Sequence, residues 1–345
     1  MFCPEVFGKV SEKVSFESVF GLAKFESLAR ILNSSKLVKN ISGSDPIVPA
    51  GKSISTDPFV MVAGIRYLTL NDIVKSLKCS VLSDNGKGFA KITKGGATVQ
   101  LTAGQDCILY QTSKIYLLHR LKLNLKDILV SYDDYLKVLV PLLAINLIPG
   151  KAPALKTIVL DPGHGGKDPG AINAYLNLSE KTLALQIATS LKAELIKRGY
   201  VVTLTRETDT FVELVNRPAK AKDADLFMSL HLNSATNTSA QGVEIFTLKR
   251  AKNFSGNTFD SWNLIAAYSV LSAFGKTTSF TNRGIKMAEF AVLKSLACPG
   301  ILVELGFISN DVEAKKLLDI NFQKKIIQGL ADGVVKYGEN LKKKR

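Results

Sequence analysis

The feature that most constrains this chain is an alternation that begins at Thr157. Short apolar runs of strand length alternate with longer stretches of helical period as far as Tyr337. The spacing predicts strands over 157–161, 201–205, 226–230, 243–247 and 301–305. It predicts helices over 179–198, 212–222, 261–274 and 321–337. Ser179 is the expected N-cap of the first helix, and Gly199 closes it. Consecutive strands separated by helices need crossover connections, which produce a parallel sheet covered by helices. The expected fold is α/β: a mixed, largely parallel sheet flanked by helices, with its chemistry at the strand ends.

The upstream sequence has a different rhythm. Residues 1–45 read as an N-terminal helical segment, whose periodicity would put Phe20, Leu22, Phe25, Leu28 and Leu32 on one face. Residues 46–150 open on a Ser, Gly and Pro-rich stretch and then read as a smaller β-rich α+β domain. "GFAKITKGGATVQLTAGQ" alternates around a glycine pair, as a hairpin does. "YLTLNDIVKSL" and "ILVSYDDYLKVL" look like two copies of one strand-to-helix unit. "NLIPGKAPALK" (Asn146 to Lys156) is the expected linker to a third section, 151–345, and His119 reads as a structural residue.

The net charge of +15 favours an anionic partner. No basic groove interleaved with aromatics is visible, so nucleic acid is not expected. No apolar run reaches the length of a transmembrane helix. The N-terminus lacks the basic start and apolar core of a secretory signal. Four scattered cysteines form no CxxC pair, which argues against a thiolate metal site. For Cys79 and Cys107, a disulfide and two free thiols both stay open.

Three strands end on unusual residues: His164 in "TIVLDPGHGGKDPGA", His231 in "DLFMSLHLNS" and Glu304 in "GILVELGFISN". A second acid, Glu180, opens the 179–198 helix. Each alone has an ordinary structural role, but together they gather at the strand ends of one α/β section. Two histidines and a carboxylate with one open position form the ligand set of a catalytic zinc. The glycines around His164 leave room for a metal and a substrate. Glu304 lies in an apolar run, where a carboxylate is costly unless used, and beside a metal it would serve as general base. There is no HExxH motif. Asp161 and Asp168 flank the His164 loop, Asn233 stands two residues after His231, and Arg283 is a candidate for a substrate carboxylate. Arg217 reads as structural.

These stretches, together with "NRPAKAKDADLFMSLHLNS" and "NRGIKMAEFAVLK", resemble the zinc-dependent N-acetylmuramoyl-L-alanine amidases, amidase type 3, over about 156–337. The resemblance implies one Zn2+ held by His164, Glu180 and His231, with Glu304 as the catalytic carboxylate. It implies cleavage between N-acetylmuramic acid and L-alanine of peptidoglycan, an anionic substrate, during wall turnover or cell separation. It also implies a location in the cell envelope, periplasmic or wall-associated, with the identity of any activator protein open. The 46–150 block is similar to the stalk domain named after the N-terminal domain of copper amine oxidases, and that name carries no copper chemistry. Two features depart from the family pattern. Leu232 stands where a small residue is usual and would narrow the cleft, and the short connection from Phe246 to Arg283 would leave the site uncovered. A zinc peptidase acting within the stem peptide and a non-catalytic wall-binding protein are the alternatives. The complete set of four residues counts against the second.

Overall fold

The structure is a computed structural model that describes residues 59–84, 87–125, 127–249 and 257–344. The helical pattern expected over 1–45, and the turn-rich stretch as far as 58, lie outside those residues.

The upstream block starts from two short polar boxes. Thr69 accepts the backbone N–H of Asp72 at 3.2 Å, and Ser131 accepts that of Asp134 at 3.1 Å. Each hydroxyl satisfies an otherwise orphaned donor and starts a helix directly after a strand. The two strands, β2 (Ile65–Thr69) and β9 (Asp127–Ser131), pair antiparallel with Leu68 opposite Val130. With β1 (Val60–Val62) and β8 (Lys122–Asn124) they form a four-stranded sheet in the order β1-β2-β9-β8. The first helix, Leu70–Leu77, is regular. The second passes through a π-helical turn, Tyr135–Leu139, before Val140–Leu143. The two strand-to-helix copies thus share their start and differ afterwards.

The remaining upstream strands form a meander: β3 (Ser80–Asp84), β4 (Phe89–Lys94), β5 (Ala97–Thr102), β6 (Cys107–Tyr110) and β7 (Ser113–Tyr116). Downstream lie β10 (Thr157–Pro162), a small hairpin of β11 (Ile172–Asn173) and β12 (Leu178–Ser179), and β13 (Val201–Leu204). They are followed by β14 (Leu226–Asn233), β15 (Val243–Leu248), β16 (Asn282–Ala288) and β17 (Gly300–Phe307). One eleven-stranded sheet runs β13-β10-β14-β17-β15-β16-β7-β6-β5-β4-β3. Strands β13, β10, β14 and β17 are parallel; β15 is antiparallel to β17 and parallel to β16. Helices Glu180–Lys197, Asp260–Thr277 and Ile320–Lys342 pack together against it.

Burial on both faces explains the apolar reading of the strands. In β14, Leu226, Met228, Leu230 and Leu232 enter the larger core and Phe227 enters a second core on the opposite face. Leu232 is therefore a core residue, and the expected narrowing of the cleft by its side chain does not occur. Alternation along the strand sends it away from His231.

The upstream meander joins the downstream strands where β16 pairs with β7, Ile285 opposite Ile115. The sheet is thus continuous across Asn146–Lys156, and Phe59–Arg345 forms a single unit. A β-bulge sits at that junction. Val243 faces Asn282, but Ile245 faces Ile285, so β16 carries one extra residue. Gly284 absorbs it at φ +94°, its N–H donating to Asn282 Oδ1 at 2.9 Å. A Cβ at Gly284 would lie 2.4 Å from the Lys114 carbonyl oxygen. Gly284→Ala should therefore cost roughly 1–3 kcal/mol, read as a lower urea midpoint with an unchanged slope.

Two local expectations change. The helix expected over 212–222 is only a turn, Asn216–Ala219, because Arg217 points inward, 2% exposed, instead of joining a regular surface helix. Ser179 occupies the N-cap position but makes no backbone cap; its hydroxyl pairs with Thr182 Oγ1 at 2.8 Å. Cys79, Cys107 and Cys298 are free thiols. Among the described residues no helix is long and apolar enough to cross a membrane.

Candidate metal centre

Strands β10, β14 and β17 are neighbours, and the carboxyl ends of parallel strands are where an α/β sheet leaves a crevice. His164 follows β10, His231 lies near the end of β14, and Glu304 is its register partner on β17. Glu180 opens the helix that packs beside β10.

The His164 loop is held from beneath by two arginines. His164 has φ +60°, a left-handed conformation that costs a residue with a Cβ about 1–2 kcal/mol. Arg217 donates through Nη2 to the His164 carbonyl at 2.7 Å and through Nη1 to the Pro162 carbonyl at 2.8 Å. Arg206 donates to the Pro162 carbonyl at 3.1 Å and to those of Gly163 and Lys181 at 2.7 and 2.8 Å. Asp161, fully buried, accepts from Arg217 at 2.9 Å, from Thr205 at 2.6 Å and from Ser229 at 2.7 Å. Asp161 therefore supports the loop, and these hydrogen bonds go to Thr205, Arg217 and Ser229 and to neither histidine. Arg206 was not singled out from the sequence; its only signal is a charged residue immediately after the apolar strand "VVTLT".

Above this base the donors converge. Glu180 Oε1 lies 3.1 Å from His164 Nε2 and 2.9 Å from His231 Nδ1, and accepts the Leu232 N–H at 3.0 Å. Glu180 Oε2 accepts the Ala171 N–H at 2.9 Å. The other nitrogen of His164, Nδ1, pairs with Asp168 Oδ2 at 2.7 Å, which fixes the ring and leaves Nε2 facing the cluster. Burial opposes a charge on His164, but the bonds and charges of Glu180 and Asp168 outweigh it and carry the imidazole up to about 9. Burial pushes the Glu180 carboxyl up, yet the two histidines hold it well below the usual carboxylate range.

Two glycines make the close approach possible. A Cβ at Gly163 would lie 2.3 Å from His231 Cε1, and one at Gly170 would lie 2.6 Å from Glu180 Oε2. One donor atom from each of His164, Glu180 and His231 lies within 4.8 Å of the other two. Two imidazoles and a carboxylate suit a divalent metal of borderline softness, so the residues present fit such an ion.

Glu304 is different in kind. Its Oε2 is buried with no hydrogen-bond partner among the described residues, and burial pushes its carboxyl up to about 7. Across the strand pair stands Glu244, also buried, which is fully engaged. It accepts Asn233 Nδ2 at 2.6 Å, Arg283 Nε at 2.9 Å and Lys286 Nζ at 2.5 Å. Asn233 thus serves Glu244 and not a histidine, and Arg283 is placed on the same carboxylate.

Comparison with known proteins adds to this geometry. The chain is similar to the N-acetylmuramoyl-L-alanine amidase AmiC of Escherichia coli O6:H1, 29% identical over 344 residues that cover 82% of each protein. It is also similar to the probable cell wall amidase LytH of Staphylococcus epidermidis, 34% identical over 183 residues, spanning 53% of this chain and 58% of LytH. Among solved structures, the N-acetylmuramoyl-L-alanine amidase AmiC2 of Nostoc punctiforme is 31% identical, covering 55% of this chain and 99% of its own, with a TM-score of 0.49. Residues 158–336, which hold all four residues of the cluster, match the family described as N-acetylmuramoyl-L-alanine amidase. By that match across just over half its length, this chain belongs to the N-acetylmuramoyl-L-alanine amidase family.

Proposed function

We propose that this chain hydrolyses the amide between N-acetylmuramic acid and L-alanine of peptidoglycan, in the cell envelope, with a zinc ion held by His164, Glu180 and His231. The observation that carries the reading is the unpartnered, buried Glu304 Oε2 beside a three-donor cluster. When bound, zinc would supply Lewis-acid polarisation of the scissile carbonyl and lower the pKa of water. Glu304 takes the proton of the attacking water and delivers it to the departing nitrogen of L-alanine. A C–O bond forms and the C–N bond breaks, leaving a lactyl carboxylate and a free α-amine. A carboxyl near 7 is matched to that exchange at neutral pH. Asp168 and the Arg206–Arg217 pair keep His164 Nε2 aimed at the cluster. The surplus of positive charge suits an anionic polymer.

The test is mass spectrometry of products from purified sacculi and defined muropeptides, with and without a chelator. Intact stem peptides beginning with L-alanine, lost on chelation, are expected. Shortened stems still attached to sugar would move the assignment to a peptidase, and binding without turnover to a wall-binding protein. Removing the partner of His164 Nδ1 gives a second check. Asp168→Asn should weaken zinc affinity about 10–100-fold in competition with a chelator while leaving the fold intact.

A further inference from the structure

The bulge at Gly284 has a chemical result. In a regular strand residues 283 and 286 point to opposite faces. The extra residue in β16 restores them to one face, where Arg283 Nε and Lys286 Nζ meet the same oxygen, Glu244 Oε2. Two cations on one buried carboxylate leave one surplus positive charge. Both cations are partly open to solvent, with side chains 34% and 26% exposed against 5% for Glu244. Arg283 spends Nη1 on the Gln241 carbonyl at 3.3 Å and lies over the Phe307 ring at 4.9 Å. Its Nη2 has no partner among the described residues. Lys286 sits above the Phe246 and Tyr116 rings. Aromatic walls and a buried carboxylate hold both side chains in place, so little entropy is lost when an anion arrives.

Glu244 is the cross-strand neighbour of Glu304. Two strand spacings separate β17 from β16, on the order of 10 Å. An extended peptide covers that distance in roughly three residues. We infer that Arg283 and Lys286 form a subsite for a free carboxylate on the second or third residue of the stem peptide, which selects acidic stems over their amidated forms. The inference rests on the amidase reading above.

The experiment uses the full zinc-loaded chain and paired muropeptides that differ only by carboxylate or carboxamide, at the second residue and, separately, at the third. The wild type should cleave the carboxylate form at one position with at least about tenfold higher kcat/KM, the size expected of a charge-assisted hydrogen bond. Arg283→Gln and Lys286→Gln should each bring the pair to within about twofold, and Lys286→Arg should keep the preference. Equal rates in the wild type at both positions, or a preference that survives both glutamine variants, overturns the subsite. Calorimetry with the free stem peptides separates this from the parent reading. Carboxylate-dependent binding without turnover keeps the subsite and removes the amidase assignment. Turnover without preference does the reverse.

Discussion

Glu304→Gln should lower kcat on muropeptides by about 10²–10⁴-fold while the protein keeps one zinc per chain. The amide fills the same buried space but takes no proton from water. The wild-type rate should rise with pH along a limb at or below about 7, because added positive charge at the cluster favours the carboxylate. The same substitution should have an opposite effect on stability. In the metal-free protein Glu304 holds its proton up to about 7, whereas an unfolded chain releases it near 4.5. The native state therefore binds more protons across that window, and stability falls as pH rises through it. Above pH 7 the metal-free Gln variant should be more stable than wild type by about 3 kcal/mol, seen as a raised thermal midpoint. A variant that is fully active, or one that gains no stability at alkaline pH, would contradict the role assigned to this carboxylate.

Arg217→Met is the second large effect. It removes the charged partner of a fully buried Asp161, takes the Arg217 bond from the His164 and Val212 carbonyls, and leaves the Pro162 carbonyl with Arg206 alone. Breaking a buried pair by deleting one member costs about 3–5 kcal/mol. Thr205 and Ser229 still bond Asp161, so the lower end applies. Calorimetry should show a loss of roughly 6–10 °C in midpoint. Zinc affinity should fall as well, because His164 is no longer held in its left-handed conformation. A midpoint within a degree of wild type would mean that the loop is held elsewhere.

Much of this is legible in the amino-acid sequence. The α/β alternation, the four converging residues and the structural role of Arg217 all follow from residue type and place. A histidine or carboxylate at the end of an apolar strand violates the local pattern, and the violation is visible in one dimension. What stayed hidden has no such local mark. Arg206 grips Gly163, 43 positions away, through a carbonyl that any residue would present. Strand β16 escaped because the bulge at Gly284 destroys the period of two by which strands are recognised. Arg217 was read correctly, yet its inward turn is what shortens the helix expected over 212–222. The alternation of β14 was visible, but its consequence for Leu232 needed the core on the far face to be known.

The meeting of β16 with β7 bears on how this chain can be divided. A catalytic fragment beginning near residue 151 would carry away β16 with its outer backbone groups uncovered. A bare parallel edge is a template for recruiting strands from other molecules. The upstream meander acts as a permanent selvedge on that fabric. The two sections are modular in sequence, yet in the folded sheet each finishes the border of the other, and rearrangements that separate them would need a replacement strand at the seam.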